Sequence, residues 1–248
     1  MESYASSHIG YERKNNEDNY IIADSADGRV RFYVVSDGMG GYQAGEVASE
    51  ITTKDFAAAV SEFRYKDNTD LADFVENTLT EIDKKVRKQA VESETCRNMG
   101  ATFVMAAVID GKSVVFGNVG DSRGYVFSEG KLTKATHDHS MVQQLIEMGC
   151  TEKEARQSVY SNSITRAVGY YHRIPGIHPV CECCQCELAD GDMIMLCSDG
   201  LSSYAANEEI EKVFIDGGDP KTMCETLTEL ALKSDSVDDI TIMIIKNV

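Results

Sequence analysis

Several acidic residues of this sequence stand beside apolar segments, and these are the residues whose types and spacing can do chemistry. A carboxylate next to a buried strand is costly in free energy unless a positive charge compensates it. Divalent cations such as Mg²⁺ and Mn²⁺ prefer oxygen ligands of this kind. The acids that border predicted buried strands are Asp37 after residues 30–36, Asp199 after residues 192–198, and the pair Asp238-Asp239 before residues 240–246.

Two further acidic positions extend this pattern. Asp121 lies between two predicted strands, and the pair Glu17-Asp18 precedes the apolar residues 20–22. Gly38 follows the first of the strand-end aspartates, and a glycine there lets a cation approach the backbone carbonyl. The residues alone also allow a simpler interpretation, because Asp-Gly is a common turn dipeptide. Cation ligands and ordinary turns both stay open at this point.

The elements that must position these acids follow an order typical of α+β proteins. Strands come in locally paired groups with helix pairs inserted between them, which differs from regular βαβ alternation and favours antiparallel sheets. With 248 residues, of which 42% are hydrophobic, the chain has enough material for one domain over residues 1–248. Helices are predicted at 44–63, 70–91, 138–148, 151–157, 207–215 and 220–233, and strands at 30–36, 102–109, 113–119, 124–127, 181–188, 192–198 and 240–246.

Charge and composition exclude several classes of function. The formal net charge is −17, from 24 Lys and Arg against 41 Asp and Glu, and a field of that sign repels nucleic acids and anionic membranes. No segment approaches the roughly 18 apolar residues of a membrane-spanning helix, and the N-terminus lacks the pattern of a secretion signal. We therefore expect a cytoplasmic monomer with reduced cysteines that binds neither nucleic acid nor membrane.

In order and spacing, the motifs of this sequence resemble the type 2C (PPM) metal-dependent Ser/Thr protein phosphatases, especially their compact bacterial branch. Each motif is weak alone, but all of them in this order are highly specific, and together they cover nearly the whole chain. The matching segments are residues 10–19, 35–41, 45–49, 99–102, 117–123, 136–140, 164–169, 196–201 and 238–241.

The resemblance implies both a fold and a metal centre. The fold is a four-layer α-β-β-α sandwich, two antiparallel sheets flanked by helix pairs, with a small flap subdomain at about residues 146–163. The centre holds two or three Mn²⁺ or Mg²⁺ ions. Its implied ligands are Asp37 as the bridge between two ions, Asp199 and Asp238 for the first ion, the Gly38 carbonyl for the second with Glu17 and Asp18 acting directly or through waters, and Asp121 with Asp199 for a third.

The resemblance also implies a reaction and its partners. Two metal ions lower the pKa of a shared water, and the resulting hydroxide attacks phosphorus opposite the leaving serine or threonine oxygen. Arg13 resembles the phosphate-binding arginine of the family, since a guanidinium fork matches two phosphate oxygens. The expected substrates are phosphoproteins, and the expected partner is a eukaryotic-like Ser/Thr kinase that the enzyme counteracts.

Two other functions are compatible with the same motifs. One is a non-catalytic adaptor that binds phosphoproteins or a kinase. Such proteins usually lose metal acids or the arginine, whereas this chain keeps all of them, which favours the enzyme. The other is a phosphatase dedicated to a single regulator, and the sequence alone does not separate it from a general enzyme.

The sequence departs from the family pattern at two positions. The last motif usually reads Asp-Asn but here reads Asp238-Asp239, and we assign the ligand to Asp238 because the following Ile-Thr fixes the register. Asp239 then replaces an asparagine, either as an additional anion near the metals or as an isostere. Met39 occupies a position where some members have a histidine that acts as a general acid, and a methionine cannot donate a proton.

Three patterns suggest competing sites. Cys150 and Arg156 have the C-x5-R spacing of cysteine-dependent phosphatases, but two glutamates between them would repel phosphate, which favours a flap helix. The cysteine-rich segment 181–186 allows a zinc or redox site, although the spacing differs from that of closed zinc sites and favours an ordinary strand. His137 and His139 can bind a metal, whereas the family resemblance favours a structural loop.

Overall fold

The computed structural model describes residues 1–11, 13–40, 44–169 and 181–248. Its strands are β1 (Glu2–His8), β2 (Asp18–Asp24), β3 (Val30–Met39), β4 (Gly100–Ala101), β5 (Phe103–Ile109), β6 (Ser113–Val119), β7 (Arg123–Ser128), β8 (Lys131–Lys134), β9 (Glu182–Glu187), β10 (Met193–Cys197) and β11 (Ile240–Lys246). Its helices are α1 (Ala44–Val60), α2 (Asn68–Glu92), α3 (Met141–Glu147), α4 (Glu152–Arg156), α5 (Asp199–Ser202), α6 (Asn207–Asp216) and α7 (Pro220–Lys233), with a 3₁₀ turn at Glu94–Cys96.

The strands form two antiparallel sheets that pack face to face. One has the order β1-β11-β10-β7-β8, and the other has the order β2-β3-β5-β6-β9 with β4 beside β3. Tyr33 and Phe116 from the second sheet pack between the sheets with Leu196 and Met243 from the first. The inner layer of the molecule is therefore a sheet-on-sheet core.

Helices cover the outer face of each sheet. On the second sheet, Phe32 of β3 packs with Phe56 of α1 and Leu79 of α2. On the first sheet, helices α6 and α7 contribute a separate apolar cluster that includes Phe214 and Leu227. The α+β four-layer α-β-β-α sandwich expected from the sequence is therefore confirmed, and the burial of β3 on both faces explains its continuous apolar run.

Most element boundaries lie near their predicted positions, and the exceptions have physical causes. Helix α3 begins at Met141 rather than at 138, because Asp138 is held by ion pairs with Arg123 (2.6 Å) and Lys134 (3.0 Å). The hydroxyl of Ser140 then caps the helix by accepting the Gln143 N–H at 3.2 Å. In the part of the chain that the structure describes, no helix is both long enough and apolar enough to cross a membrane.

Strand β3 differs from its prediction in a way that affects the acids. The predicted strand stops at residue 36, but β3 continues through Asp37 and Gly38 to Met39. Asp37 pairs with Asp18 of β2, and Gly38 pairs with Ala101 of β4. Asp37 therefore lies within a hydrogen-bonded strand, not at the start of a turn.

Candidate metal centre

The predicted acids meet in a cleft of about 530 Å³ at one end of the sandwich. The segment before β2 and the end of β3 supply one wall, and the segments after β10 and before β11 supply another. The lining residues are Arg13, Glu17, Asp37, Gly38, Met39, Gly40, Thr102, Asp121, Arg156, Ser161, Asn162, Ile164, Asp199, Ser203, Tyr204 and Asp238. Of the predicted site residues, Asp18 and Asp239 are buried behind this surface.

Asp18 and Asp37 are brought together by the register of β2 and β3, where they are direct partners. The Oδ2 atom of Asp18 accepts the Ser198 hydroxyl at 2.8 Å. Its Oδ1 atom is buried and has no hydrogen-bond partner among the described residues. Burial raises the pKa of Asp18 to about 7, with a smaller effect from the nearby charges of Asp239 and Asp199. A buried, unpartnered carboxylate oxygen of this kind fits a cation or a water bound to one.

Burial and neighbouring carboxylates also raise the pKa values of Asp37, Asp121 and Asp199. Desolvation, followed by the charges of Asp18 and Asp199, raises the pKa of Asp37 well above its ordinary value. Desolvation and the neighbouring Asp199 raise the pKa of Asp121 to about 8. Desolvation and Asp238 raise the pKa of Asp199 to about 6. Acids packed this closely ionise together at neutral pH only beside strong positive charge, which divalent cations provide.

The glycines after Asp37 and Asp199 have a packing role. Neither Asp-Gly pair forms a turn, since the first lies in β3 and the second begins α5. A methyl group on Gly38 would stand 2.1 Å from the Gly45 carbonyl oxygen, and one on Gly200 would stand 2.0 Å from the Asp239 carbonyl oxygen. The turn interpretation of these pairs is therefore wrong, because the glycines let neighbouring backbone approach the acids.

Asp238 and Asp239 face different surroundings. Asp239 is buried, and its two carboxylate oxygens accept the backbone N–H groups of Gly10 and Glu17, each at 2.8 Å. Asp238 lines the cleft and accepts a hydrogen bond from the Arg13 guanidinium. This arrangement agrees with Asp238 as the ligand, which stays a prediction, and it gives Asp239 the task of holding the loop that carries Arg13.

Arg13 lies at the mouth of the cleft with a half-exposed side chain. Its Nη1 atom donates to Glu17 Oε2 at 3.2 Å, and its Nη2 atom donates to Asp238. Partial burial alone would lower the pKa of Arg13, but Asp238 and Glu17 outweigh it and the pKa is raised. The guanidinium is therefore a fixed positive charge beside the acids, where it can contact a bound phosphate.

Two hydroxyl residues support the acids and were not identified from the sequence. Besides its bond to Asp18, the Ser198 hydroxyl accepts the backbone N–H of Thr241 at 2.9 Å, which ties β10 to β11. The Thr102 hydroxyl accepts the Asp37 N–H at 2.9 Å and contacts the Ser122 hydroxyl at 2.6 Å, beside Asp121. The repeated tripeptide Ser-Asp-Gly, at residues 36–38 and 198–200, is a sequence signal for the first of these supports.

The competing patterns of the sequence lie outside this centre. Cys150 does not line the cleft, although Arg156 does, so the C-x5-R pair is not assembled as a phosphate site among the described residues. Residues 182–187 of the cysteine-rich segment form β9, and all eight cysteines are free. The strand favoured by the sequence is therefore present. A metal or redox role remains an untested alternative for Cys181, Cys183, Cys184 and Cys186.

His137 and His139 form a small cluster with Glu182, in which potential ligand atoms lie within 4.8 Å of one another. The Nδ1 atom of His139 accepts the Gly120 N–H at 3.1 Å. Glu182 is neutralised by Arg166, whose Nη1 atom lies 2.6 Å from its carboxylate. Because a guanidinium already occupies this position, the geometry favours a structural role for the histidine loop.

The sequence of this chain is similar to those of known protein phosphatases. The model of the family described as protein phosphatase 2C matches residues 2–240. The chain is 31% identical to a serine/threonine phosphatase, stp, of Listeria monocytogenes, with 96% of this chain and 92% of the relative covered.

Solved structures agree with the family match. A serine/threonine phosphatase of S. agalactiae has a TM-score of 0.92 at 27% identity, with 100% of this chain and 99% of that chain covered. The catalytic domain of the serine/threonine protein phosphatase PstP, solved with 2 manganese ions, has a TM-score of 0.81 at 28% identity, with 98% and 96% covered.

Proposed function

We propose that this chain, which belongs to the protein phosphatase 2C family, hydrolyses phosphoserine and phosphothreonine on proteins with two or three bound Mn²⁺ or Mg²⁺ ions. Membership confirms the family and the class of enzyme expected from the sequence, a protein-serine/threonine phosphatase. We further propose that its substrates are products of a eukaryotic-like Ser/Thr kinase, whose action it counteracts. The similar PstP domain with manganese supports the choice of metal.

The observation that carries this proposal is that four aspartates line one cleft together with Arg13. Asp37, Asp121, Asp199 and Asp238 line the same cleft as Arg13. In addition to the buried Oδ1 of Asp18, the Oδ1 of Asp199 is buried and has no hydrogen-bond partner among the described residues. This donor set consists of carboxylates, and the adjacent Gly38 adds a carbonyl, so it fits hard divalent ions.

Asp37, Asp199 and Asp238 would hold a first ion, Asp37 and the Gly38 carbonyl with Asp18 and Glu17 would hold a second, and Asp121 with Asp199 would hold a third. When bound, such ions lower the pKa of water toward neutrality and so provide a nucleophile for phosphorus. Arg13 binds phosphate oxygens and holds the substrate in place. Met39 lines the cleft but carries no titratable proton, so it does not serve as the general acid.

Hydrolysis of a phosphothreonine peptide, followed with and without Mn²⁺, tests the proposal. We expect metal-dependent release of phosphate, and loss of about 10³-fold or more in kcat for Asp37→Asn, because electrostatic stabilisation of the transferred phosphoryl group provides much of the rate acceleration in such reactions. Asp190→Asn changes an exposed acid outside the cleft and is the matched control. Full activity of Asp37→Asn would refute the role of Asp37.

The non-catalytic adaptor is the alternative that the same experiment addresses. An adaptor would bind a phosphopeptide without releasing phosphate at any Mn²⁺ concentration. The complete set of cleft acids and Arg13 favours the enzyme. A comparison of the phosphoproteomes of cells with and without the protein then identifies its substrates and tests the proposed opposition to a kinase.

A further inference from the structure

A second groove continues from the metal cleft along the surface. It has a volume of about 300 Å³ and lies between helix α4 of the flap region and residues 202–208, which run from the end of α5 into the first turn of α6. Arg156, Ser203 and Tyr204 line both the groove and the cleft. The two depressions therefore share a border, and a peptide whose phosphorylated residue enters the cleft has its neighbouring residues at this groove.

Arg156 is the cation at that border, and only the Nε atom of its guanidinium has a hydrogen-bond partner among the described residues. Its Nε atom donates to Glu152 Oε1 at 2.9 Å, one turn earlier on α4. Among the described residues, its two terminal nitrogens have no hydrogen-bond partner. Its side chain is 36% exposed, so those nitrogens are accessible to a ligand. One ion pair thus orients the side chain while the terminal donors remain available for an anion.

Arg13 and Arg156 differ in how many of their terminal nitrogens already have hydrogen-bond partners. Both terminal nitrogens of Arg13 already contact Glu17 and Asp238 at the floor of the cleft. Arg13 and Arg156 are the cations that line the cleft within the described part of the chain. In a protein with a net charge of −17, the partly exposed Arg156 places a positive charge beside the cleft that can attract an anionic group.

The other wall of the groove suits the flanking residues of a peptide. Ser203 is exposed and offers a hydroxyl group, and the half-buried Tyr204 offers an aromatic face. Glu208 also lines the groove, whereas the cleft lining does not include it. Glu152, the ion-pair partner of Arg156, lines the groove as well, so the groove has one guanidinium where it joins the cleft and a further carboxylate at the N-terminal turn of α6.

We propose that this groove binds the residues that flank the phosphorylated serine or threonine, and that Arg156 selects substrates with an anionic side chain at a flanking position. This inference rests on the proposed phosphatase function. The anionic group is a carboxylate or a second phosphate, since both match the terminal nitrogens of a guanidinium. Arg156 acts in this scheme as a specificity-determining residue outside the metal centre.

The test compares phosphothreonine peptides that differ only in the flanking residues. One peptide has glutamines around the phosphothreonine, a set of peptides places a glutamate at each flanking position in turn, and a parallel set places a phosphoserine there. For each peptide, kcat and KM are measured with Mn²⁺ for the wild type, Arg156→Gln, Arg156→Lys and Lys153→Gln. Lys153 lies on the same helix, is exposed and lines neither depression, so its loss is the matched change of charge.

We expect the wild type to prefer an anionic peptide over the glutamine peptide by about ten-fold in kcat/KM, mostly through KM, as one charge-assisted hydrogen-bonded contact provides. Arg156→Gln should bring that ratio close to one, Arg156→Lys should keep part of it, and Lys153→Gln should keep all of it. The carboxylate and phosphoserine sets show which anion is preferred.

Several results would overturn the inference. A wild type without preference would do so, and so would a ratio that survives in Arg156→Gln or falls equally in Lys153→Gln, because the effect would then be general electrostatics. Hydrolysis of all peptides without discrimination overturns this inference alone. Absence of metal-dependent hydrolysis for every peptide overturns the proposed function together with it.

Discussion

Asp239 shows how a single carboxylate can matter to a metal site that it does not line. Its two oxygens receive the N–H groups of Gly10 and Glu17, and the chain between those residues carries Arg13. Each N–H group reaches a different oxygen, so an asparagine in the same orientation would present its NH₂ group, a donor, to one of the two N–H donors. In this chain, the Asp239 carboxylate therefore fixes both ends of the segment that carries Arg13.

We therefore predict that Asp239→Asn lowers the free energy of unfolding by about 1–3 kcal/mol, the cost of leaving a buried donor unpaired. The displaced Arg13 loop should also raise KM for phosphopeptides. Urea unfolding and steady-state kinetics measure the two effects. Asp238→Asn is the comparison variant, and it should weaken Mn²⁺ binding with a smaller change in stability. If Asp239→Asn instead lost metal affinity and kept its stability, the ligand would be Asp239.

At the scale of single residues, the sequence indicated which acids lie together in the fold. It did not indicate which hydroxyl groups form hydrogen bonds with them. The positions of Asp37, Asp121, Asp199 and Asp238 followed from motif order, and they line one cleft. The hydroxyl supports did not follow, because Thr102 meets Asp37 only through pairing of distant strands. Arg156 was assigned to a flap helix, and its position at the cleft depends on how that helix packs.

Among the elements, β3 has the strictest requirements on its sequence. It is buried on both faces and continues through Asp37, a proposed metal ligand, to Gly38, which packs against the first turn of α1. The carbonyl oxygen of Gly45 leaves no room for a side chain at position 38. The start of α1 and the end of β3 are therefore fixed relative to each other by backbone contact.

Gly38→Ala should consequently destabilise the protein by about 1–3 kcal/mol through overpacking and weaken Mn²⁺ binding by moving the carbonyl and Asp37. Thermal unfolding and calorimetric titration with Mn²⁺ report the two effects separately. Gly130→Ala is a useful control, because its φ of 77° carries conformational strain but no atom lies near the added methyl group. That control should lose stability and keep its metal affinity. Unchanged metal binding in Gly38→Ala would show that the contact has no role in the site.

Elements with a strong internal pattern were predictable, and elements defined by their neighbours were not. The bounds of β6, α7 and β11 match their predictions, because periodicity or an apolar run marks both ends. Strand β1 has mostly small and polar residues and exists because it pairs with β11 along its whole length. The short β8 and α5 were missed for the same reason, since tertiary contacts and not local preference define them.

At the scale of the whole molecule, the buried acids link stability to pH. The folded-state pKa values of about 7 for Asp18 and about 8 for Asp121 exceed the value of about 3.9 for an unfolded aspartate. Without metal, the folded state therefore binds more protons than the unfolded state between about pH 4 and pH 8. The contribution of these groups to stability is complete below pH 4 and is lost as pH rises through the folded-state values.

We predict that the metal-free protein has a lower melting temperature at pH 8.5 than at pH 5.5, and that saturating Mg²⁺ raises the melting temperature more at pH 8.5. The reason is that the metal competes with protons for the same carboxylates. Calorimetry at both pH values, with and without Mg²⁺, measures the difference. An equal gain from Mg²⁺ at the two pH values would contradict the assignment of these acids as ligands.

The three apolar clusters bear on the number of domains. The cluster between the sheets contains residues from both, so neither sheet can bury its inner face alone. We therefore predict that residues 1–248 unfold as one domain, with a single transition. Coincident urea curves from tyrosine fluorescence and from circular dichroism would support this, and two separated transitions would refute it.

The division of the cleft acids between the two sheets has a further consequence. Asp18 and Asp37 belong to one sheet, while Asp199 and Asp238 adjoin strands of the other. A chain in which only one sheet has formed would thus have only part of the proposed cation site, and we expect it to be inactive on phosphoproteins. Catalytic competence would appear only with the docking of the two halves, so a nascent or damaged copy of the protein would stay silent instead of removing phosphates without control.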